Sequence, residues 1–298
     1  MLKKGRFHIM AHADISLLRQ LSANSGTYRD PLTQLDWTAL SLNDYWLPVS
    51  AISLYGITEF EQSPEDKRKR LSQFEFLAFT QSGLWLEGIF LERLVKQLHN
   101  LDDPSMQAYF LHEIREEAGH GLMFLRLMEQ SGLFIPQSLR QPPRFAHLIG
   151  RLAPMGGALF WLTVVIGEEV PDKLNRYVRA TENNAINPLI RQLCSLHLMD
   201  EARHIAHARS TLVNSLHNYG RLRKAALSCI ASILLKQFAR SFYLPQEGIY
   251  ELAGLSPGKK WRELARQNPE RREFIRRCIE PTLNLLRNQG IELDMPDL

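Results

Sequence analysis

Leu196 to Ile205, reading LHLMDEARHI, decides the fold of this chain. At about 100° per residue His197, Glu201 and His204 share one face of a helix, so that face offers three metal-ligand side chains. Ile190, Cys194, Ile205, Ala208 and Leu212 fall on the same face, while Arg191, Asp200, Arg203 and Arg209 point aside or away. A carboxylate and two imidazoles in an apolar stripe need a compensating partner, because an unpaired buried charge is costly. A bound cation would supply it.

The 298 residues, 45% of them hydrophobic, are enough for a large core in one domain, 1–298. The net charge of +4 is spread over scattered Lys and Arg, which gives no nucleic-acid footprint. The densest basic runs, Lys67 to Arg70 and Arg271 to Arg277, read as solvated helix faces. Cys194, Cys229 and Cys278 have neither disulfide nor thiolate-metal spacing, which fits a reducing cytoplasm. The basic N-terminus has no apolar core like that of a signal peptide. The longest apolar run, Ala158 to Ile166, is about half of what a membrane span needs. A cytoplasmic protein without membrane or nucleic-acid partners is expected.

Outward from LHLMDEARHI the punctuation is helical. Residues 1–60 show turn signals and no sustained period, as a wrapping arm would. Ser63 reads as an N-cap with Pro64 at the first helical position and Glu65 and Asp66 at the positive end of the dipole, opening a helix to about Leu98. Asp102-Asp103-Pro104 opens a second, to about Gly132. A third segment runs from about Pro154 to Thr181, where Pro171 predicts a kink or a break. Asn187-Pro188 opens the fourth, to about Tyr219. Residues 61–220 thus form a four-helix core, and 221–298 add C-terminal helices. No strand period, Gly-rich phosphate loop or fixed-length repeat interrupts this all-α pattern.

A second Glu-x-x-His, Glu117 to His120, lies on the apolar face of the second helix with Phe110, Ile114, Phe124 and Met128. Ferritin-like di-iron bundles take Glu-x-x-His from each of two helices and one Glu from each of the other two. The first helix carries Glu87 among Leu77, Leu84, Leu91, Leu94 and Leu98, whereas Glu92 is placed to pair with Lys96 at the surface. In the third helix the acid is Glu168 or Glu169, and the apolar residues lean toward the side of Glu169. Carboxylates and imidazoles without thiolates suit iron or manganese, with iron the better match.

The order Glu, Glu-x-x-His, Glu, His-x-x-x-Glu-x-x-His resembles the di-iron N-oxygenases typified by bacterial p-aminobenzoate N-oxygenase, the additional histidine being His197. Asp102-Asp103-Pro104 and Pro188 are also similar in placement, and the likeness spans roughly residues 30 to 215. The resemblance implies a ferritin-like bundle whose metal ligands are Glu87, Glu117, His120, Glu168, His197, Glu201 and His204. Glu168 is chosen over Glu169 by the family's spacing, with Asp172 downstream. It further implies two iron ions, dioxygen as co-substrate, a small-molecule amine oxidised to a hydroxylamine, nitroso or nitro product in antibiotic biosynthesis, and electrons from a ferredoxin or reductase. A homodimer is compatible with it.

Plainer roles stand beside these. Glu113 reads as an eighth ligand, a hydrogen-bond partner of one, or a helix acid. His207 reads as solvated or as a supporting hydrogen-bond group. Asp200 either orients a ligand histidine of a neighbouring helix or sits at the surface, and Cys194 reads as an inert buried thiol. Trp85 and Trp161 read as core. Competing functions are a carbon hydroxylase or desaturase, an iron store, and a radical-generating subunit using Tyr109 or Tyr177.

Overall fold

The computed structural model describes residues 14–182 and 185–293, and among them there is no strand. Short helices come first: α1 (Ile15–Ser25), α2 (Pro31–Gln34) and α3 (Thr58–Glu61). Asp14 and Asp30 cap the first two, their carboxylates accepting the Leu17 amide at 3.1 Å and the Leu32 amide at 2.8 Å. The described part of the expected arm is therefore helical in pieces. It is also anchored, since Leu18, Trp46, Leu47 and Phe60 are buried. Its residues 1–13 lie outside the described set.

Four long helices make the core: α4 (Glu65–Leu98), α5 (Pro104–Ser131), α7 (Ala158–Ala180) and α8 (Pro188–Leu216), with α6 (Arg144–Leu152) between the second and third. The expected Ser63 cap is not formed. Its hydroxyl donates to the Phe60 carbonyl at 2.6 Å, Pro64 occupies the cap position, and the helix starts one residue later. A residue before proline is held out of the helical region, which favours this arrangement. Asp103 caps α5 through the amides of Ser105 and Met106, and Gly132, at φ 63°, ends it in the left-handed conformation that glycine adopts without strain. Asn187 caps α8 through Leu189 and Ile190.

Pro171 does not break its helix: α7 runs unbroken through it. The missing amide is tolerated because α7 is held by its neighbours α8, α9 (Arg221–Tyr243) and, after α10 (Glu247–Leu252) and α11 (Gly258–Gln267), α12 (Pro269–Asn288). The Tyr243 hydroxyl of α9 donates to the Val170 carbonyl beside the proline. Helix α4 packs along α5 and α7 along α8, closing the bundle, while α1 and α2 cover α5 and α6 lies against α4, α7 and α9.

Two surface expectations change. Arg271, read as part of a solvated basic face, is buried, donating to the Tyr243 carbonyl at 2.8 and 2.6 Å and to the Ala51 carbonyl at 2.6 Å. It ties α12 to the segment before α4. Glu92 pairs with Arg151 of α6 at 3.1 Å instead of Lys96, because α6 docks across α4 and brings a guanidinium within reach. Both side chains are half exposed, so the pair adds little stability. Among the described residues no helix is long and apolar enough to cross a membrane.

Candidate metal centre

The bundle brings Glu87 of α4, Glu117 and His120 of α5, Glu168 of α7, and His197, Glu201 and His204 of α8 into its dry interior; none is more than 7% exposed. Two overlapping groups could each hold an ion. Glu87, His120, His197 and Glu201 form one, and Glu117, Glu201 and His204 the other, with the ligand atoms of each group within 4.8 Å of one another. Glu201 belongs to both. Glu117 also straddles them, with one oxygen 3.2 Å from His120 Nδ1 and the other 3.0 Å from His204 Nδ1. Two carboxylates therefore stand where bridging ligands would.

The fit to cations rests on atoms that nothing else satisfies. One oxygen of Glu87 and both oxygens of Glu201 are buried without a hydrogen-bond partner. Buried polar atoms normally have partners, so a converging set of orphans marks a place for a ligand. Carboxylate oxygens and imidazole nitrogens are the donor set that iron or manganese takes.

Which nitrogen of each imidazole faces inward is fixed from behind. His120 Nε2 meets Asp200 at 3.2 Å and His204 Nε2 meets Glu116 at 2.9 Å, so each Nε2 carries the proton and each Nδ1 turns to the cluster. Arg203 joins the two supports, reaching Glu116 at 2.9 Å and also bonding Asp200. His197 is turned the other way. Its Nε2 points to Glu87 at 3.4 Å and Glu201 at 3.5 Å, while Nδ1 meets the Asn175 side-chain amide at 2.9 Å. The atom of Asn175 that lies there is the amide nitrogen, which donates to Nδ1; a metal on Nε2 would put the proton on Nδ1 and require the amide to turn its oxygen to the ring.

The electrostatics match a cluster built to be neutral. Burial, reinforced by Glu117, pushes the Glu87 carboxyl well up; burial, reinforced by Glu201, does the same to Glu168. Burial also acts on Glu117, but the His204 charge and hydrogen bonds from its neighbours outweigh it and hold that carboxyl well below its ordinary range. Glu201 is lowered in the same contest, against both burial and Glu117, by His204 and His197. Burial would lower His120, yet Asp200 and Glu117 raise it to about 9, and His204 is raised well above its usual value despite burial by Glu117 and Glu201. Burial and the nearby His120 bring His197 down to about 4.

In the third helix, Glu168 lies outside both ligand groups but is the acid whose charge senses Glu201 and Glu117. Glu169, toward which the apolar pattern leans, turns outward to Arg209 and accepts from the Thr282 hydroxyl at 2.8 Å. The pattern misleads because α7 is buried nearly all round, by α9 and α12 as well as α8. Glu113 belongs to neither ligand group and meets His207 at 3.2 Å. His207 is not solvated: Trp161 and Tyr109 close over it, ring centroids 4.8 and 4.7 Å away, and it is 1% exposed. Asp200 takes the orienting role. Burial raises the Cys194 thiol, as an inert core cysteine requires.

Glu116, Arg203 and Asn175 are the functional residues that the sequence pattern did not single out. Glu116 had a signal, since the glutamate of each Glu-x-x-His is preceded by an acid, Glu116-Glu117 and Asp200-Glu201, whereas Arg203 did not. Asn175 had none. Gly119, inside the first Glu-x-x-His, is required sterically: a Cβ there would lie 2.2 Å from the Tyr28 hydroxyl.

Comparison with known proteins agrees with this geometry, residues 12–290 matching the p-aminobenzoate N-oxygenase AurF family. The chain belongs to that family. It is thus a ferritin-like di-iron protein of the oxidoreductase class, with a buried His and Glu cluster positioned to chelate two metal ions. Uncharacterised proteins Mb0909 of Mycobacterium bovis and Rv0885 of Mycobacterium tuberculosis are each 23% identical to it over 252 residues, 83% of this chain and 74% of theirs.

Proposed function

We propose that the chain is a non-haem di-iron oxygenase that oxidises the amine nitrogen of a small molecule to a hydroxylamine, nitroso or nitro product in secondary metabolism, with electrons from a ferredoxin or reductase. Glu87, His120 and His197 would hold one iron, Glu168 and His204 the other, and Glu117 and Glu201 would bridge them. His197 carries the proposal: its Nε2 stands with Glu87, His120 and Glu201, making one group richer in nitrogen than a plain ferritin-like set. Family membership supports the same chemistry.

Bound at this centre, two irons would supply redox capacity and Lewis acidity toward dioxygen. The protein's own part is orientation and exclusion. Asp200 and Glu116 keep His120 and His204 in the tautomer that presents Nδ1, and Arg203 fixes both acids. Asn175 holds His197 turned inward. The surrounding burial keeps water from the reacting region. The first oxidation balances as amine plus dioxygen, two electrons and two protons giving hydroxylamine and water.

Iron-reconstituted protein, given a reductant and a panel of aryl and alkyl amines, tests this by dioxygen uptake and mass spectrometry of the products. N-oxygenated product is expected. Dioxygen uptake with products oxidised only on carbon would assign a different oxygenase, and iron retained in His197→Gln with amine oxidation undiminished would remove the basis of the proposal.

A further inference from the structure

Helices α4, α6, α7 and α9 enclose a narrow pocket of about 20 Å³. Its walls are apolar, formed chiefly by Trp85, Ile89, Gly150, Phe160, Val164 and Phe238. Thr163 adds a hydroxyl, but that group already donates to the Leu159 carbonyl at 2.9 Å. The one ionisable residue in the lining is Glu168, whose charge also senses Glu201 and Glu117. The pocket thus reaches a buried acid of α7, the bundle helix packed along α8 with its His197, Glu201 and His204.

Size and polarity together select the occupant. A water needs about 10–15 Å³ by this measure, so the space suits a single small molecule and is far too tight for an aromatic amine. Water is poorly served there, because it needs about two to four polar partners and the walls offer only the Glu168 carboxyl and a Thr163 hydroxyl whose proton is already committed. An apolar diatomic needs none. Packing beside the pocket is close: a Cβ on Gly150 would lie 3.1 Å from Ile89 Cγ2, so a larger residue there would require the Ile89 side chain to shift. At the outer end Trp85 is half-buried and tied to α6 by its indole N–H, which donates to His147 Nδ1 at 3.1 Å.

We propose that this pocket is the port through which dioxygen reaches the Glu168 side of the centre. The proposal rests on the di-iron oxygenase reading for its ligand, but its location can be tested without iron. Crystals of the purified protein pressurised with xenon should show xenon between Trp85 and Glu168, and crystals of Val164→Phe should not. In stopped flow, reduced iron-loaded Val164→Phe should react with dissolved dioxygen about tenfold more slowly in second-order rate than the parent, with two irons per chain retained.

Absence of xenon from the parent pocket overturns the port, and so does an unchanged dioxygen rate in Val164→Phe. Should that variant fail to fold, xenon occupancy in the parent still decides. Iron-loaded parent protein that never reacts with dioxygen would instead defeat the oxygenase reading, an outcome that the xenon experiment keeps distinct.

Discussion

Loading the centre with two divalent ions should release four protons. Burial holds the carboxyls of Glu87 and Glu168 well above their usual range, which favours their protonated forms, while Glu117 and Glu201 are lowered and ionised. His120, raised to about 9, and His204, raised well above its usual value, are cationic, while His197, lowered to about 4, is neutral. Two carboxylates then balance two imidazolium ions. With metal bound, four carboxylates and three neutral imidazoles balance two divalent ions, so neutrality is conserved only if two carboxyl protons and two imidazole protons leave. Since protons compete with metal, affinity rises with pH, and the competition from His120 ends above about 9, where that proton is already gone. Anaerobic titration of metal-free protein with Fe(II) or Mn(II) in a weakly buffered indicator solution counts the protons, and calorimetry in buffers of different ionisation enthalpy checks the count. Release of fewer than about two protons per pair of ions would refute this charge balance.

Asn175→Leu should weaken metal binding at the His197 group by about 10–100-fold while the chain stays folded, because His197 loses the side-chain amide that orients its ring; competitive chelation of the metal measures it. Asp200→Asn should weaken binding to a similar degree of about 10–100-fold through His120, with circular dichroism unchanged. Glu168→Gln should lower iron from two per chain toward one, whereas Glu169→Gln should retain two and cost about 1–3 kcal/mol of stability through Thr282 and Arg209, read by iron analysis and denaturant midpoint. Gly119→Ala should lower the melting temperature by displacing Tyr28, at about 1–3 kcal/mol.

What the sequence revealed and what it hid follow from periodicity. Helices α4, α5 and α8 have an exposed side, so a ligand acid such as Glu87, Glu117 or Glu201 stands out as a charge on an apolar stripe. Helix α7 has almost none: from Phe160 to Asp172 every residue is buried, so the apolar lean toward Glu169 does not mark the side that faces the cluster. Their separation is set by partners distant in the chain, Glu201 for one and Arg209 with Thr282 for the other. Proline 171 misled for the same reason, since its cost depends on packing by α9 and α12 that local sequence does not encode. Support residues obey a different rule. Asp200 and Glu116 sit directly before ligand glutamates, about 100° round the helix, and so cannot face the metals themselves. Each instead reaches the imidazole of the opposite helix, Asp200 of α8 holding His120 of α5 and Glu116 of α5 holding His204 of α8. The two acid-Glu-x-x-His motifs are therefore reciprocal, each supplying ligands to its own side and orientation to the other. Arg203 makes the exchange a unit by binding both supporting acids, so loss of this one side chain should loosen His120 and His204 together where loss of either acid loosens one.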